Sequence, residues 1–297
     1  MKNRFFNFSY IFMMFLLGSS VFFFSCSKDS GTDPNEGKID PATVATTNLV
    51  AYFPFESDGV DKISALTPKQ MPNVTYVLGK RGNAYQGASN GYYLYDLPAA
   101  SKLKTLKAFT ISMWFYGRPA IDGVAPVPGI IQISGTSEPT WGNLMITQDR
   151  MPDVVDSLNI KMVYHKEGAV WANQFVGFSK PAFLENKWIH LVFAYDNVTS
   201  KYMVYVNGAA LTLDAGITNR WAAGDDVSPR PGLGDLVFNN ATQMAIGGWI
   251  QRILGASQDE WMGYFTGRID ELRIYDKGLN TTEVTALYNA EITQLNP

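Results

Sequence analysis

Short segments in which apolar and polar residues alternate recur along most of the chain, separated by turn-forming residues. A period of two is typical of a β-strand with one buried face, and these segments are rich in β-branched and aromatic residues. Strands at this spacing without intervening helical patterns predict an all-β fold, an antiparallel β-sandwich. The predicted strands cover residues 49–55, 92–95, 109–116, 158–164, 189–195, 202–206 and 266–275.

The end of the chain predicts a bulged strand followed by a short helix. The alternation of residues 266–275 slips at Asp270 and Glu271, which indicates a local bulge. Asn280 stands three residues before Glu283, a spacing typical of a helix N-terminus whose cap and third residue exchange hydrogen bonds. A short C-terminal helix should therefore close the fold.

Several stretches also match a known pattern jointly and in order. The last reads FTGRIDELRIYDKGLN and continues as TTEVTALYNAE, and the others are residues 49–61, 82–95, 109–116, 187–196 and 201–208. Together they resemble the laminin G-type domains of the concanavalin A-like lectin and glucanase superfamily, over about the last five-sixths of the chain. The resemblance implies a concanavalin A-like jelly roll.

The first 26 residues have the features of an export signal. Basic Lys2 and Arg4 precede an apolar run over residues 10–24, which ends at Cys26, the sole cysteine. This order looks like a bacterial lipoprotein processing site, where the cysteine is diacylated and becomes the N-terminus. The alternative is a transmembrane anchor, but about 15 apolar residues are fewer than the roughly 20 that a span needs. We therefore expect lipid anchoring at Cys26, to the bacterial outer membrane or cell surface.

The mature chain is expected to consist of a tether and one domain. Residues 27–47 are polar and rich in serine, threonine, proline and glycine, which predicts a flexible tether. Residues 48–297 have the size of one jelly-roll domain, and the 46% hydrophobic and 13% aromatic content of the chain can fill one core. The net charge of −3 and the lack of a basic run argue against nucleic-acid binding.

The motifs for catalysis are weak. Glycanases built on this jelly roll resemble one another in an E-x-D-x-x-E strand motif, which the sequence lacks. Asp270 and Glu271 should lie on opposite faces of a regular strand, and Asp149, Asp153 and Asp156 are predicted to lie in a loop. His190 lies in a strand where the family tends to use a histidine for packing, and His165 has no assignable nucleophile beside it. A hydrolase or lyase with carboxylates in its loops remains the enzymatic alternative.

An acidic turn follows the first strand and suggests a calcium site. Glu56, Asp58 and Asp61 occur where laminin G-like relatives carry calcium ligands, together with the aspartate of the I-D-E strand, here Asp270. Carboxylate oxygens suit Ca²⁺, which accepts six to eight ligands in flexible geometry. We expect a structural Ca²⁺ at these four residues. The alternative is a solvated turn in which Asp270 accepts hydrogen bonds from the backbone.

Two long segments, residues 134–157 and 214–261, resist the strand pattern and carry tryptophans beside polar residues. Sugars stack on aromatic rings while polar side chains satisfy their hydroxyls, although tryptophans also pack loops onto a core. We therefore predict a non-catalytic, cell-surface glycan-binding domain, with a protein–protein adhesion module as a further alternative. The predicted ligand-contacting residues are Trp141, Trp221, Trp249, Trp261, Arg220 and Arg252.

Overall fold

The computed structural model describes residues 40–117, 126–135, 140–149, 158–180, 187–256 and 259–293. The predicted export signal and Cys26 lie outside these residues. The described chain forms a sandwich of two sheets, which confirms the all-β prediction. Among the described residues, no helix combines the length and the apolar character needed to cross a bilayer.

The first sheet has eight strands, seven of them in one row with β1 paired beside β15. In spatial order the row is β12 (Ala209–Ala210), β11 (Lys201–Val206), β10 (Ile189–Asp196), β5 (Phe109–Tyr116), β15 (Arg268–Tyr275), β3 (Asn83–Gln86) and β2 (Thr75–Leu78), and β1 is Leu49–Phe53.

The second sheet has seven strands, with β14 (Met262–Tyr264) paired in parallel to one edge of β6. Its row is β4 (Tyr93–Asp96), β13 (Gln243–Ile246), β6 (Val127–Ser134), β7 (Leu144–Gln148), β8 (Leu158–His165) and β9 (Asn173–Lys180). The helices are α1 (Ala215–Thr218), α2 (Ile250–Ile253) and α3 (Thr281–Ile292).

The main core lies between the sheets and is strongly aromatic. Phe53 and Phe55 are fully buried and pack with Tyr85, Tyr93 and Tyr95 at centroid separations of 5.4–6.1 Å. Fully buried aromatic side chains of this size remove much apolar surface from water, each contributing roughly 1.5–3 kcal/mol or more. With no disulfide among the described residues, this burial is the main source of stability.

A smaller core lies on the outer face of the first sheet, under α3. Val284 and Leu287 of the helix pack against Val192 and Tyr205 of the sheet. The Asn280 side chain accepts from the Glu283 N–H while the Glu283 carboxylate accepts from the Asn280 N–H. The helix and its capping residues are therefore as the sequence predicts.

The predicted bulge is present in β15. The register with β5 shifts between Asp270 and Arg273, and Glu271 has a φ of +52°. Arg268 and Ile269 pair with β3, whereas the residues after the bulge pair with β1. The bulge therefore marks the point at which β15 exchanges one partner strand for another.

Two sequence-based expectations differ from the structure. Residues 40–47, assigned to the flexible tether, form two short 3-10 turns, and Val44 is buried in the core under α3. The segments predicted as long loops contain β7, β13, α1 and α2. β7 escaped the pattern because all five of its residues are buried, so apolar and polar positions do not alternate.

Candidate functional site

Three of the four predicted tryptophans come together on the outer face of the second sheet. Trp249 is fully buried, and the rings of Trp141 and Trp261 meet it edge-on at 5.6 and 5.0 Å between centroids. Beneath them lie Met145 and Val163, which alternate with the core residues of their strands. Trp249 therefore acts as a pedestal for two half-buried rings.

Backbone contacts around β6 hold the three rings in place. The Val127 N–H donates to the Trp261 carbonyl at 2.7 Å, and the Val127 carbonyl accepts from the Trp249 indole N–H at 2.8 Å. The buried Gln132 side chain donates to the Thr140 carbonyl and accepts from the Ile250 N–H. These bonds tie the segments before Trp141 and after Trp249 to the same strand.

A cavity of about 340 Å³ opens beside the two outer rings, and we call it the tryptophan cleft. The Asp149 carboxylate and the Lys161 ammonium form an ion pair, and the buried Thr147 hydroxyl has no hydrogen-bond partner. The cleft therefore combines aromatic faces with polar groups. Its lining residues are Val127, Trp141, Thr147, Asp149, Lys161 and Trp261.

The aromatic surface continues beyond the cleft along β9. The Phe175 ring meets the Trp141 ring edge-on at 5.2 Å, and the Phe175 side chain is 48% exposed. An exposed phenylalanine beside a half-buried tryptophan offers a further apolar face to a ligand longer than one ring.

The fourth predicted tryptophan, Trp221, lies elsewhere and does not line the cleft. The guanidinium of Arg230 lies over its ring at 5.3 Å and over the Trp171 ring at 5.7 Å. Trp221 therefore does not share a surface with the other three tryptophans, because the segment around it packs beside the turn between β8 and β9.

The two predicted arginines brace loops instead of lining the cleft. Arg220 donates to the Gln174 side-chain oxygen and to two carbonyls of α1. Arg252 donates to the Asp259 carbonyl at 3.0 Å. Each guanidinium bonds to main-chain carbonyls, and neither arginine lines the tryptophan cleft. Their predicted contact with a ligand stays a prediction.

The four carboxylates of the predicted calcium site are not brought together. Asp61 is buried and acts as an acceptor that fixes its own turn. Its donors are the N–H groups of Tyr52, Ile63 and Ser64 and the Ser64 hydroxyl. Asp58 pairs with Lys62 at 3.1 Å. Among the described residues, no group of three or more acidic, histidine or cysteine side chains is placed to hold a metal ion.

Glu56 and Asp270 do meet at one feature, the turn between β2 and β3. Glu56 Oε2 accepts from the Asn83 N–H at 2.8 Å. Asp270 Oδ2 accepts from the N–H groups of Lys80 and Arg81 at 2.7 and 2.9 Å, while its buried Oδ1 has no partner. Burial, with a smaller contribution from the Glu271 charge, raises the pKa of Asp270 to about 8. Only Asp270 therefore keeps a buried carboxylate oxygen without a partner among the described residues of this turn.

The two histidines make internal contacts. His190 is fully buried, and burial followed by the Arg273 charge lowers its pKa to about 3. His165 contacts Asn173 and Glu167. Asp153 and Asp156 lie outside the described residues. The contacts of both histidines are those of packing side chains.

Comparison with protein-family models identifies the family of this fold. The sequence model of a laminin G-type family, described as the concanavalin A-like lectin/glucanases superfamily, matches residues 88–285. The chain belongs to this superfamily. None of the curated proteins compared with the chain matches it.

Solved structures share the fold at low identity. The binding domain of botulinum neurotoxin DC, in complex with rat synaptotagmin II, has a TM-score of 0.56 at 13% identity, over 84% of this chain and 52% of that one. Botulinum neurotoxin type C, whose cell entry depends on interaction with two ganglioside molecules, gives 0.54 at 11%, over 84% and 53%. The binding domain of Paraclostridial Mosquitocidal Protein 1 gives 0.52 at 15%, over 82% and 52%. The chain thus spans about half the length of these neighbours.

Several residues of the two aromatic surfaces of this laminin G-type domain were not predicted from the sequence. Thr147 lies in β7, which was read as loop, and Lys161 is an outward polar residue of a correctly predicted strand. Trp171 lies just before β9 and Phe175 lies within it, and this strand was not predicted. Alternation in the NQFVGFSK segment was the signal that could have placed Phe175 on an outer face.

Proposed function

We propose that the protein is a cell-surface lipoprotein whose jelly-roll domain binds a glycan without catalysis, through the tryptophan cleft. The observation that carries this is the pair of half-buried rings, Trp141 and Trp261, fixed on the buried Trp249. Rigid aromatic faces stack on the C–H faces of sugars, and rings held in advance lose little entropy on binding.

The polar groups of the cleft suit sugar hydroxyls. The Thr147 hydroxyl is buried without a partner, a state that costs about 1–3 kcal/mol unless a ligand or water bonds to it. Asp149 accepts and Lys161 donates, and because the two are paired, the cleft offers both functions with little net charge. Its volume of about 340 Å³ falls within the roughly 300–1,000 Å³ of small-molecule sites.

The structural neighbours support a binding role of this fold, although their identity of 15% or less supports nothing finer. One neighbour interacts with gangliosides and another forms a complex with synaptotagmin II, so both glycan and protein partners occur among them. We favour the glycan because the cleft joins flat aromatic faces to paired polar groups. A protein–protein adhesion module is the second candidate, since exposed Phe175 extends the apolar surface.

We further propose a structural Ca²⁺ held by Asp270 and Glu56 at the turn between β2 and β3. The unpartnered Asp270 Oδ1 supports the proposal, because a cation would satisfy an oxygen that is otherwise buried without a partner. The ion would link the first strand's exit, this turn and β15. Anchoring by lipid at Cys26, in the outer membrane or at the cell surface, completes the proposal.

A glycan array with the full chain, purified in detergent, tests the proposed function in calcium and in chelator. We expect hits that disappear in a Trp141→Ala, Trp261→Ala double variant that remains folded at the assay temperature. Reducing-sugar release from any hit would identify the hydrolase alternative. An array without hits for a folded chain would reject the glycan proposal and leave the adhesion module.

A further inference from the structure

A second aromatic surface lies at the turn between β8 and β9, formed by residues that do not line the tryptophan cleft. The Arg230 guanidinium lies over two indole rings, those of Trp171 at 5.7 Å and Trp221 at 5.3 Å. Trp171 is 55% exposed, and the adjacent Val170 is 62% exposed. We call Trp171, Trp221 and Arg230 the Arg230 site.

Main-chain hydrogen bonds build this site from three segments. The Ala222 N–H donates to the Pro231 carbonyl at 3.1 Å, and Trp221 pairs with Gly232 in an antiparallel bridge. The turn between β8 and β9 joins this pair, because the Val170 N–H donates to the Ala222 carbonyl at 3.0 Å. Main-chain hydrogen bonds among the three segments therefore fix the positions from which the three side chains extend.

The guanidinium is oriented but carries no neutralising partner. Arg230 Nε donates to the Ala223 carbonyl at 2.8 Å, which leaves the two terminal nitrogens of the fork. In the described part of the chain Arg230 makes no ion pair, although Asp225 and Asp226 lie on the same loop. Many other cations are paired, such as Lys69 with Asp96. Aromatic faces attract the charge by about 0.5–2 kcal/mol without consuming its N–H donors.

We infer that the Arg230 site binds a carboxylated sugar unit, such as a uronic acid residue of an acidic polysaccharide. A planar carboxylate accepts two parallel hydrogen bonds from a guanidinium fork, while the exposed Trp171 ring offers a face for the pyranose C–H groups. Asp225 and Asp226, a few residues before Arg230 in the chain, disfavour densely charged ligands such as phosphate groups. A sugar with one carboxylate per ring is compatible with one cation and two anions on the same loop. The inference rests on the proposed function only in that both sites take saccharides.

The test measures calorimetric binding of an oligogalacturonate hexamer to the full chain, with neutral maltohexaose as the matched ligand. Arg230→Met keeps an apolar stem between the rings but removes charge and donors, and Arg230→Lys keeps the charge but loses the fork. We expect Arg230→Met to weaken oligogalacturonate binding at least about tenfold, with Arg230→Lys in between. Binding of neutral glycans in the cleft should be unchanged in both variants.

Controls separate this inference from the cleft. Trp261→Ala should leave oligogalacturonate affinity within about twofold of wild type, and Trp171→Ala should weaken it. The inference is overturned if wild type does not bind oligogalacturonate, if Arg230→Met binds it normally, or if each loss of affinity accompanies a lowered melting temperature. Binding of a sulfated but not a carboxylated oligosaccharide would also overturn it. If only Trp261→Ala loses affinity for oligogalacturonate, the acidic sugar binds in the tryptophan cleft. That result would overturn the inference and leave the proposed function intact.

Discussion

Asp270 and Glu271 are consecutive in β15, and both bond to Arg81 through different parts of that residue. Asp270 Oδ2 accepts from the Arg81 main-chain N–H at 2.9 Å, whereas Glu271 Oε2 accepts from its guanidinium at 2.5 Å. The bulge makes this possible, since a regular strand would send the two side chains to opposite faces. The turn between β2 and β3 is thus fixed from β15 by two carboxylates.

The proposed calcium makes Asp270 the residue to test. Replacing Asp270 with Asn removes the carboxyl group but keeps an acceptor for the N–H groups of Lys80 and Arg81. A chelator should lower the melting temperature of the wild type, because a ligand of the native state alone stabilises it by RT ln(1 + [L]/Kd). In Asp270→Asn the chelator should have no effect. Calorimetric melting curves with and without chelator measure both quantities.

Asp61→Asn is the matched control for that experiment. Asp61 accepts three hydrogen bonds within its own turn and one from Tyr52 of β1, so the change should cost about 1–3 kcal/mol in calcium and in chelator alike. The chelator-induced shift itself should remain. If wild type shows no shift, or if Asp270→Asn retains the wild-type shift, the proposed calcium site is wrong.

Substituting the three clustered tryptophans should separate an effect on stability, at Trp249, from an effect on glycan binding, at Trp141 and Trp261. Trp249→Ala removes a fully buried ring and its bond to the Val127 carbonyl, so we expect a loss of roughly 3–5 kcal/mol in unfolding free energy. Trp141→Ala and Trp261→Ala remove half-buried rings and should cost less while abolishing glycan binding. Chemical denaturation and binding are measured on each variant. If the loss of glycan affinity is proportional to the loss of unfolding free energy in all three variants, Trp141 and Trp261 do not stack on the ligand.

The sequence predicts the features that depend on neighbouring residues and misses those that depend on contacts between distant segments. The bulge and α3 are visible because a slipped alternation and a cap at Asn280 are short-range signals. The contact between Trp141 and Trp261 is not visible in the sequence, because it depends on the parallel pairing of β14 with β6. Asp61 shows a further limit. An acidic turn that binds a metal and one that binds its own N–H groups have the same composition, and only the hydrogen bonds distinguish them.

Thr147 provides a test of the cleft that barely alters packing. Valine has nearly the same shape, and the hydroxyl that it removes has no partner in the described structure. Thr147→Val should therefore leave the unfolding free energy unchanged or slightly raised, because an unsatisfied buried hydroxyl is lost. Affinity for an array hit should fall about fivefold to tenfold, by the energy of roughly one hydrogen bond. Unchanged affinity would exclude Thr147 from ligand contact.

The proposed anchor is tested in cells. Cys26→Ala removes the only thiol available for acylation, so the protein should leave the membrane fraction. Fractionation with metabolic lipid labelling measures both attachment and release. Ser25→Ala, beside the cysteine, is the matched control and should still be labelled. A Cys26→Ala protein that stays in the membrane fraction would favour the transmembrane alternative.

His190 should make the fold sensitive to mild acid. The side chain is fully buried, with Nε2 at 2.8 Å from the Ser112 hydroxyl and 3.3 Å from Glu291, and Nδ1 has no partner. Burial, with the Arg273 charge, lowers its pKa to about 3, against about 6.5 in the unfolded chain. Between these values the unfolded chain binds a proton that the native protein does not. The stability contributed by neutral His190 is therefore complete above pH 6.5 and is lost as the pH falls towards 3.

The neighbouring Glu291 acts in the opposite direction. Burial, partly offset by Arg273, raises the pKa of Glu291 to about 7, so its contribution is lost as the pH rises through that value. A difference between wild type and His190→Gln isolates the histidine, since glutamine can still bond to Ser112 and Glu291. The difference in unfolding free energy should shrink by up to about 1.4 kcal/mol per pH unit below pH 6.5. Denaturation at several pH values between 7.5 and 4.5 measures it, and parallel profiles would show that His190 is not held neutral.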